Sequence, residues 1–119
     1  MSLEILGAEL EAAGRAAESA RINWKARLSE VNADDPISFE RARDSIRTLE
    51  ICRFIASTML EYYLSVRDNR EFRQPRRYEL ANPTNEELLK RRDLYETGIR
   101  MLLVTEQMPD TQEAETHIL

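Results

Sequence analysis

Proline and glycine placement constrains this chain more than any other feature of its sequence. Gly7 and Gly14 come early, the next glycine is Gly98, and Pro36, Pro75, Pro83 and Pro109 divide the chain beyond its first thirty-odd residues. Proline lacks the backbone N–H and its ring clashes with the preceding turn, so it marks helix starts and stops. Between these marks the residues are strong helix formers, with Ala, Leu, Glu and Arg in front. The reading is all-α: an antiparallel bundle of three main helices over about 2–31, 36–68 and 84–107, in a single domain ending at 109. The 69–82 loop leaves room for a short helix, and residues 110–119 read as an acidic, mobile tail.

The first helix carries one narrow apolar seam: Leu3, Leu6, Leu10, Ala13, Ala17, Ala20, Trp24 and Val31, with Leu28 beside Arg27. Three-four spacing of this kind belongs to a helix in a hairpin or coiled coil. Its alanine-rich middle lets a neighbour approach closely. Gly7 and Gly14 each cost about 1 kcal/mol against alanine, so the first two turns fray unless something covers them. In the turn after this helix, Asp35 suits an N-cap and Pro36 the first helical position.

The second helix has two seams. Ala42, Leu49, Cys52, Ala56, Met59, Tyr63 and Val66 form the first; Ile51, Ile55, Thr58 and Tyr62 form the second, with Phe54 and Leu60 alongside. A helix apolar on more than one face sits between neighbours. With only two other helices in the chain, part of this surface, together with the exposed edge of the first helix's seam, is expected to meet a protein partner or another copy. Thr84-Asn85-Glu86-Glu87 is a capping box, the Thr84 hydroxyl serving the Glu87 N–H while the Glu87 side chain returns to the Thr84 backbone. The third helix places Leu88, Tyr95, Ile99 and Leu102 on one stripe, and Leu94, Met101 and Met108 on another.

Chemistry-bearing patterns are scarce. The one histidine, His117, lies in the tail, too far from any packed scaffold for a nucleophilic triad. His/Cys metal sites fail on count, and no glycine-rich phosphate loop is present. Cys52 falls on a core face and reads as a small buried hydrophobe. Glu40 with Asp44, and Glu86 and Glu87 with Asp93, offer the only arrangement for a carboxylate–magnesium nucleotide hydrolase. Lys90 stands four residues after Glu86, and basic residues surround Asp93, so caps and solvated faces explain these carboxylates better. The expectation is a non-enzyme with no cofactor, no metal and no small-molecule substrate.

Charge is unevenly spread. Residues 66–92 hold eight basic and five acidic side chains, whereas 1–65 hold eight and eleven, and 93–119 hold one and six. An acidic protein with a basic waist is not a general nucleic-acid binder. The waist comprises Arg67, Arg70, Arg73, Arg76, Arg77, Lys90, Arg91 and Arg92; its alternatives are a solvated loop balancing the acidic ends, or a weak contact with nucleic acid or an acidic surface. Tyr62, Tyr63, Phe72 and Tyr78 flank it, and arginine with tyrosine is the composition of interface anchors. Tyr62 and Tyr63 read as core, leaving Phe72 and Tyr78 as the exposed anchors. The partner-binding candidates are therefore Tyr63, Arg67, Arg70, Phe72, Arg73, Arg76, Arg77, Tyr78, Arg91 and Arg92. A start at Met1-Ser2-Leu3-Glu4 without a basic n-region, one cysteine and no apolar run of about 18 residues suggest a cytoplasmic protein with no membrane span.

Over residues 49–109 the features come in a distinctive order: Leu49-Glu50, Arg53, Tyr63-Leu64-x-x-Arg67, a charged loop, Asn82-Pro83-Thr84-Asn85-Glu86-Glu87-Leu88, a tyrosine-bearing helix, and Met108-Pro109. This order resembles the helical A domain of the GINS family, subunits of the replication-fork helicase assembly. The resemblance implies a structural subunit without enzyme activity, with Tyr63, Leu64 and Arg67 as packing and interface residues. GINS subunits usually add a small β-rich B domain, and nothing after Pro109 here supplies one. Two functional classes thus stand side by side. One is a helical scaffold or adaptor, GINS-like in its sharpest form; the other is a small helical regulator, inhibitor or chaperone, phage-encoded or secretion-type, acting on one protein.

Overall fold

The computed structural model describes residues 2–75 and 80–97, and in them the chain forms three helices: α1 (Leu3–Ser29), α2 (Pro36–Arg67) and α3 (Asn85–Thr97). Among the described residues there is no strand, only an isolated bridge between Asn32 and Asp35 within the turn. The all-α bundle is what the proline and glycine pattern anticipates. No helix in the described residues is long and apolar enough to cross a membrane.

The α1–α2 hairpin is held by its turn. Asn32 Oδ1 accepts from the Asp34 N–H (2.9 Å), and Asp35 Oδ1 caps α2 by accepting from the Ile37 N–H (3.2 Å). The Ser38 hydroxyl donates back to the Asp35 carbonyl (2.6 Å) and accepts from the Asn32 N–H (3.0 Å). These polar groups of the reversal are paired locally, so the hairpin pays little desolvation. Pro36 occupies the first helical turn, where its missing N–H is an orphan anyway.

Along the hairpin one stripe of each helix is buried: Leu6, Ala17, Ala20, Trp24 and Leu28 from α1, with Phe39, Ala42, Ile46, Leu49 and Ala56 from α2. Leu10 and Ala13 of α1, and Cys52, Met59 and Tyr63 of α2, are half-buried at its margins, so Cys52 edges the core rather than sitting within it. The outer ends of the predicted seams, Leu3 and Val66, stay exposed. Within the first turns of α1, Leu6 is buried while Leu3 and Ile5 stay exposed. Ser2 caps the helix by accepting from the Ile5 N–H (3.2 Å), and a Cβ at Gly7 would stand 3.6 Å from the Tyr63 ring.

Helix α2 stops at Arg67, one residue short of the expected end at about 68. Asn69 adopts a left-handed conformation (φ 51°), the Arg70 N–H reaches the Ser65 carbonyl (2.9 Å) and the Asn69 N–H the Val66 carbonyl (3.4 Å). That pair of bonds ends helices on a left-handed residue, and asparagine tolerates the position best after glycine. Residues 70–75 and 80–84 form no helix. The chain instead returns along α2 as a strap before α3 begins.

Thr84 caps α3 as the capping box predicts, accepting from the Glu87 N–H (3.1 Å); the Glu87 carboxylate, however, accepts from the Thr84 hydroxyl (3.2 Å) instead of its backbone. Leu88 is fully buried and carries α3 into the cluster of Ala20, Trp24, Leu28, Val31, Phe39, Ala42, Ile46 and Leu49. The expected continuation of α3 to 107 and the acidic tail lie outside the described residues.

Gly14 gives a direct test of this packing. Its added Cβ would meet nothing within 4 Å, and no described glycine has positive φ. Gly14→Ala is therefore expected to raise unfolding free energy by about 1 kcal/mol through helix propensity alone. Thermal denaturation reads it; a lower melting temperature would show that α1 needs the close approach.

Candidate interaction surface

Helix α2 has three faces with different fates. The first meets α1. The second is polar and holds the returning strap: Arg43 donates to the Pro83 carbonyl (3.1 Å) and to Asn85 Oδ1 (2.7 Å). One turn on, Arg47 donates to the Ala81 carbonyl (3.3 Å) and Asn82 Oδ1 (2.7 Å), and Glu50 accepts from the Ala81 N–H (2.7 Å). Further along, Arg70 pairs with Glu61 (2.7 Å), and the Phe72 ring meets Tyr62 edge-on with centroids 5.8 Å apart. Successive turns of helix thus clamp a segment that has little apolar content of its own.

The third face looks away from α1. Ile37, Arg41, Asp44, Thr48, Ile51, Ile55, Thr58, Tyr62 and Val66 take alternating steps of four and three residues up to Tyr62, and only Thr58 among them is even half-buried. Ile51, Ile55 and Tyr62 are 47, 46 and 43% exposed, where the core Ile46 of the same helix is nearly sealed. Tyr62 is therefore not a core residue, contrary to the expectation from sequence. Its outward ring, braced by Phe72, extends the stripe. Tyr63, on the seam, is half-buried against α1.

The basic waist resolves into internal contacts and exposed charge. Arg67 pairs with Asp68 (2.8 Å) and Arg70 with Glu61. Arg92 donates to the Val31 carbonyl and pairs with Asp93 (2.9 Å), tying α3 to the end of α1, a role its sequence position does not announce. Lys90 pairs with Glu86 (3.5 Å), and Arg73 and Arg91 are exposed. Arg76, Arg77 and Tyr78 lie outside the described residues. Phe72 is exposed, as anticipated, but its partner is Tyr62.

The carboxylates weighed for a magnesium site are each engaged by a neighbouring residue. Glu40 pairs with Arg43 (2.9 Å), Asp44 with Arg47 (3.6 Å) and Asp93 with Arg92. Among the described residues no three His, Cys, Asp or Glu side chains come together. The hydrogen bond from Arg70 holds the Glu61 carboxyl below the usual carboxylate range, and the bond from Arg43 does the same for Glu40. Asp68 is lowered first of all by its bond from Arg67. These shifts are those of ion pairs that brace a fold.

The residues that sequence reasoning missed are Arg43, Arg47 and Glu50. Their spacing of four and three on one side of α2 is the available signal, since a polar stripe at that period marks a face turned to a polar neighbour as readily as to water. No family model matches the chain, and neither a curated protein nor a solved structure is found to match it.

The clamp and the Glu61 pair can each be tested by a single substitution. Arg47→Ala removes bonds from a charged donor to the strap and is expected to cost about 1–2 kcal/mol; amide exchange at Ala81 and Asn82 should rise well above that seen in Arg73→Ala. If both variants exchange alike, the clamp does not hold the strap. The second substitution is read through pH. Glu61 is lowered in the folded chain, so its pairing stabilises above the ordinary carboxylate value and the effect fades as pH falls through the lower folded value. The melting-temperature gap between wild type and Glu61→Gln should be constant above the ordinary carboxylate range and narrow progressively as pH falls below it. A gap that widens in acid would contradict the assignment.

Proposed function

We propose that this chain is a non-enzymatic helical scaffold or adaptor subunit, working by burial of the outward face of α2 against another protein helix. The observation that carries the reading is the exposed stripe of Ile51, Ile55 and Tyr62 on the side of α2 that faces away from α1 and that the strap touches only where Phe72 meets Tyr62. An apolar row at helical spacing, rimmed by Arg41, Asp44 and Thr48, has the make-up of a helix-in-groove or helix-on-helix contact. Exposed charge at Arg73 and Arg91 would act on encounter and orientation more than on affinity, whether the approaching surface is an acidic protein or a nucleic-acid backbone.

The order of motifs over 49–109 makes a GINS-like DNA-replication subunit the sharpest form of this proposal, with Tyr63 and Arg67 among its interface residues. A small helical regulator or inhibitor acting in the cytoplasm would use the same face. The hydrolase reading draws no support from Glu40, Asp44, Glu86 and Asp93, each paired with an arginine or lysine, or from Glu87, which is engaged by the cap.

The test is quantitative capture on the immobilised full chain, wild type against Ile51→Glu. Position 51 is exposed, so the variant should keep its helicity and melting temperature. At least one stoichiometric protein, a second copy of the chain included, should be held by the wild type and lost by the variant by about tenfold or more, the factor that about 1.4 kcal/mol of lost contact produces. Equal retention on both would refute the role of this face.

A further inference from the structure

The four central positions of the outward stripe of α2, Thr48, Ile51, Ile55 and Thr58, read the same from either end. The stripe's centre lies between Ile51 and Ile55; the next positions outward are Thr48 and Thr58, and the next Asp44 and Tyr62. The steps of four and three average 3.5 residues, the period at which a seam stays facing a partner helix along its length. A copy of α2 laid antiparallel on this face sets Ile51 against the partner's Ile55 and Thr48 against its Thr58. Asp44 then meets the hydroxyl of the partner's Tyr62, a carboxylate opposite a donor.

Charge decides the direction. In a parallel pair, Arg41 would face Arg41 and Asp44 would face Asp44 within the seam, a costly juxtaposition of like charges. In the antiparallel pair those repulsions vanish. Arg47 and Glu61, both on the strap side of the stripe, come within a helical turn of each other across the two-fold axis with opposite sign. A face built for an unrelated helix has no reason to be complementary to its own reverse.

From this we propose that the partner of the α2 face is a second copy of this chain, docked antiparallel in an isologous dimer with Ile51 and Ile55 at its two-fold centre. The inference deepens the adaptor reading and rests on it, naming the occupant of the same surface. Apart from Phe72 against the Tyr62 ring, the strap lies off this face, since Arg43, Arg47 and Glu50 hold it on the neighbouring side of α2.

Sedimentation velocity of the full chain from about 1 to 200 µM tests it, a range matched to an interface of a few apolar residues. The weight-average mass should climb from one chain towards two, and Ile55→Glu should hold it at one chain with unchanged helicity. Direction is read by disulfide formation in a Cys52→Ser background carrying Thr48→Cys or Thr58→Cys. The cross-link should form when the two variants are mixed and not in either alone. A chain that stays monomeric at the top of that range overturns self-pairing. So does a dimer indifferent to Ile55→Glu, or a cross-link within a single variant. Monomer with Ile51-dependent capture of a different protein would remove the dimer and leave the adaptor reading standing; monomer with no such capture would remove both.

Discussion

The structure depends on one close helix–helix seam, where Ala17 and Ala20 of α1 lie against the stripe of α2 that runs through Ala42, Leu49 and Ala56. Small side chains let two backbones approach until larger neighbours on each side interlock. Trp24 and Leu28 of α1, with Phe39 and Ile46 of α2, supply that bulk toward the turn end. The arrangement concentrates burial where the hairpin turn already fixes register, so the turn and the core reinforce each other. Toward the open end the seam passes half-buried Leu10 and Met59 before buried Leu6, and Tyr63 closes it against Gly7.

A seam of that kind uses only one stripe of each helix, and α2 is too long and too apolar to be satisfied by it. Its second face is occupied by polar means. Arg43, Arg47 and Glu50 accept a strap with few hydrophobic residues because they satisfy its backbone groups at Ala81 and Pro83 directly. Charged donors on backbone carbonyls are stronger than neutral ones and partly shielded here by the strap itself. That polar latch brings Leu88 into the core, and Arg92 then fastens α3 to the Val31 carbonyl at the other side of the turn. The third helix is thus docked by one buried leucine between two arginine contacts.

Much of this is legible from residue order, and for physical reasons. Helix starts are written in short-range chemistry: Asp35-Pro36 and Thr84 through Glu87 act on their own backbone within one turn, so no tertiary knowledge is required to read them. The three-helix all-α bundle comes from where such signals fall. The end of α2 is legible almost to the residue, because the apolar pattern stops at Val66 and the polar run that follows ends the helix at Arg67, with Asn69 taking the left-handed position. Tyr62 is easily misplaced. Periodicity shows that a helix has two apolar faces, but not which of them finds a neighbour inside the chain. The arginine latch is invisible in sequence because Arg43 and Arg47 look like any solvated stripe until Ala81 and Pro83 are brought beside them from more than thirty residues away.

The face left over has a composition that separates it from the core. Core positions of α2 carry alanine, leucine, phenylalanine and isoleucine, with small serines at Ser38, Ser45, Ser57 and Ser65 among them and no charge. The outward row mixes isoleucine with threonine, one tyrosine, and the charges of Arg41 and Asp44 toward the turn. Such a row tolerates water in the lone chain, yet its branched side chains are stiff and lose little rotamer freedom when covered. Those properties suit a contact that forms and dissolves, with affinity limited by its few large apolar side chains and direction set by its charges. The constraint that shapes the interior therefore also shapes the exterior: one seam is given to folding, one face to the latch, and the remaining face of the same helix is left exposed, which is the surface the proposed helix contact would cover.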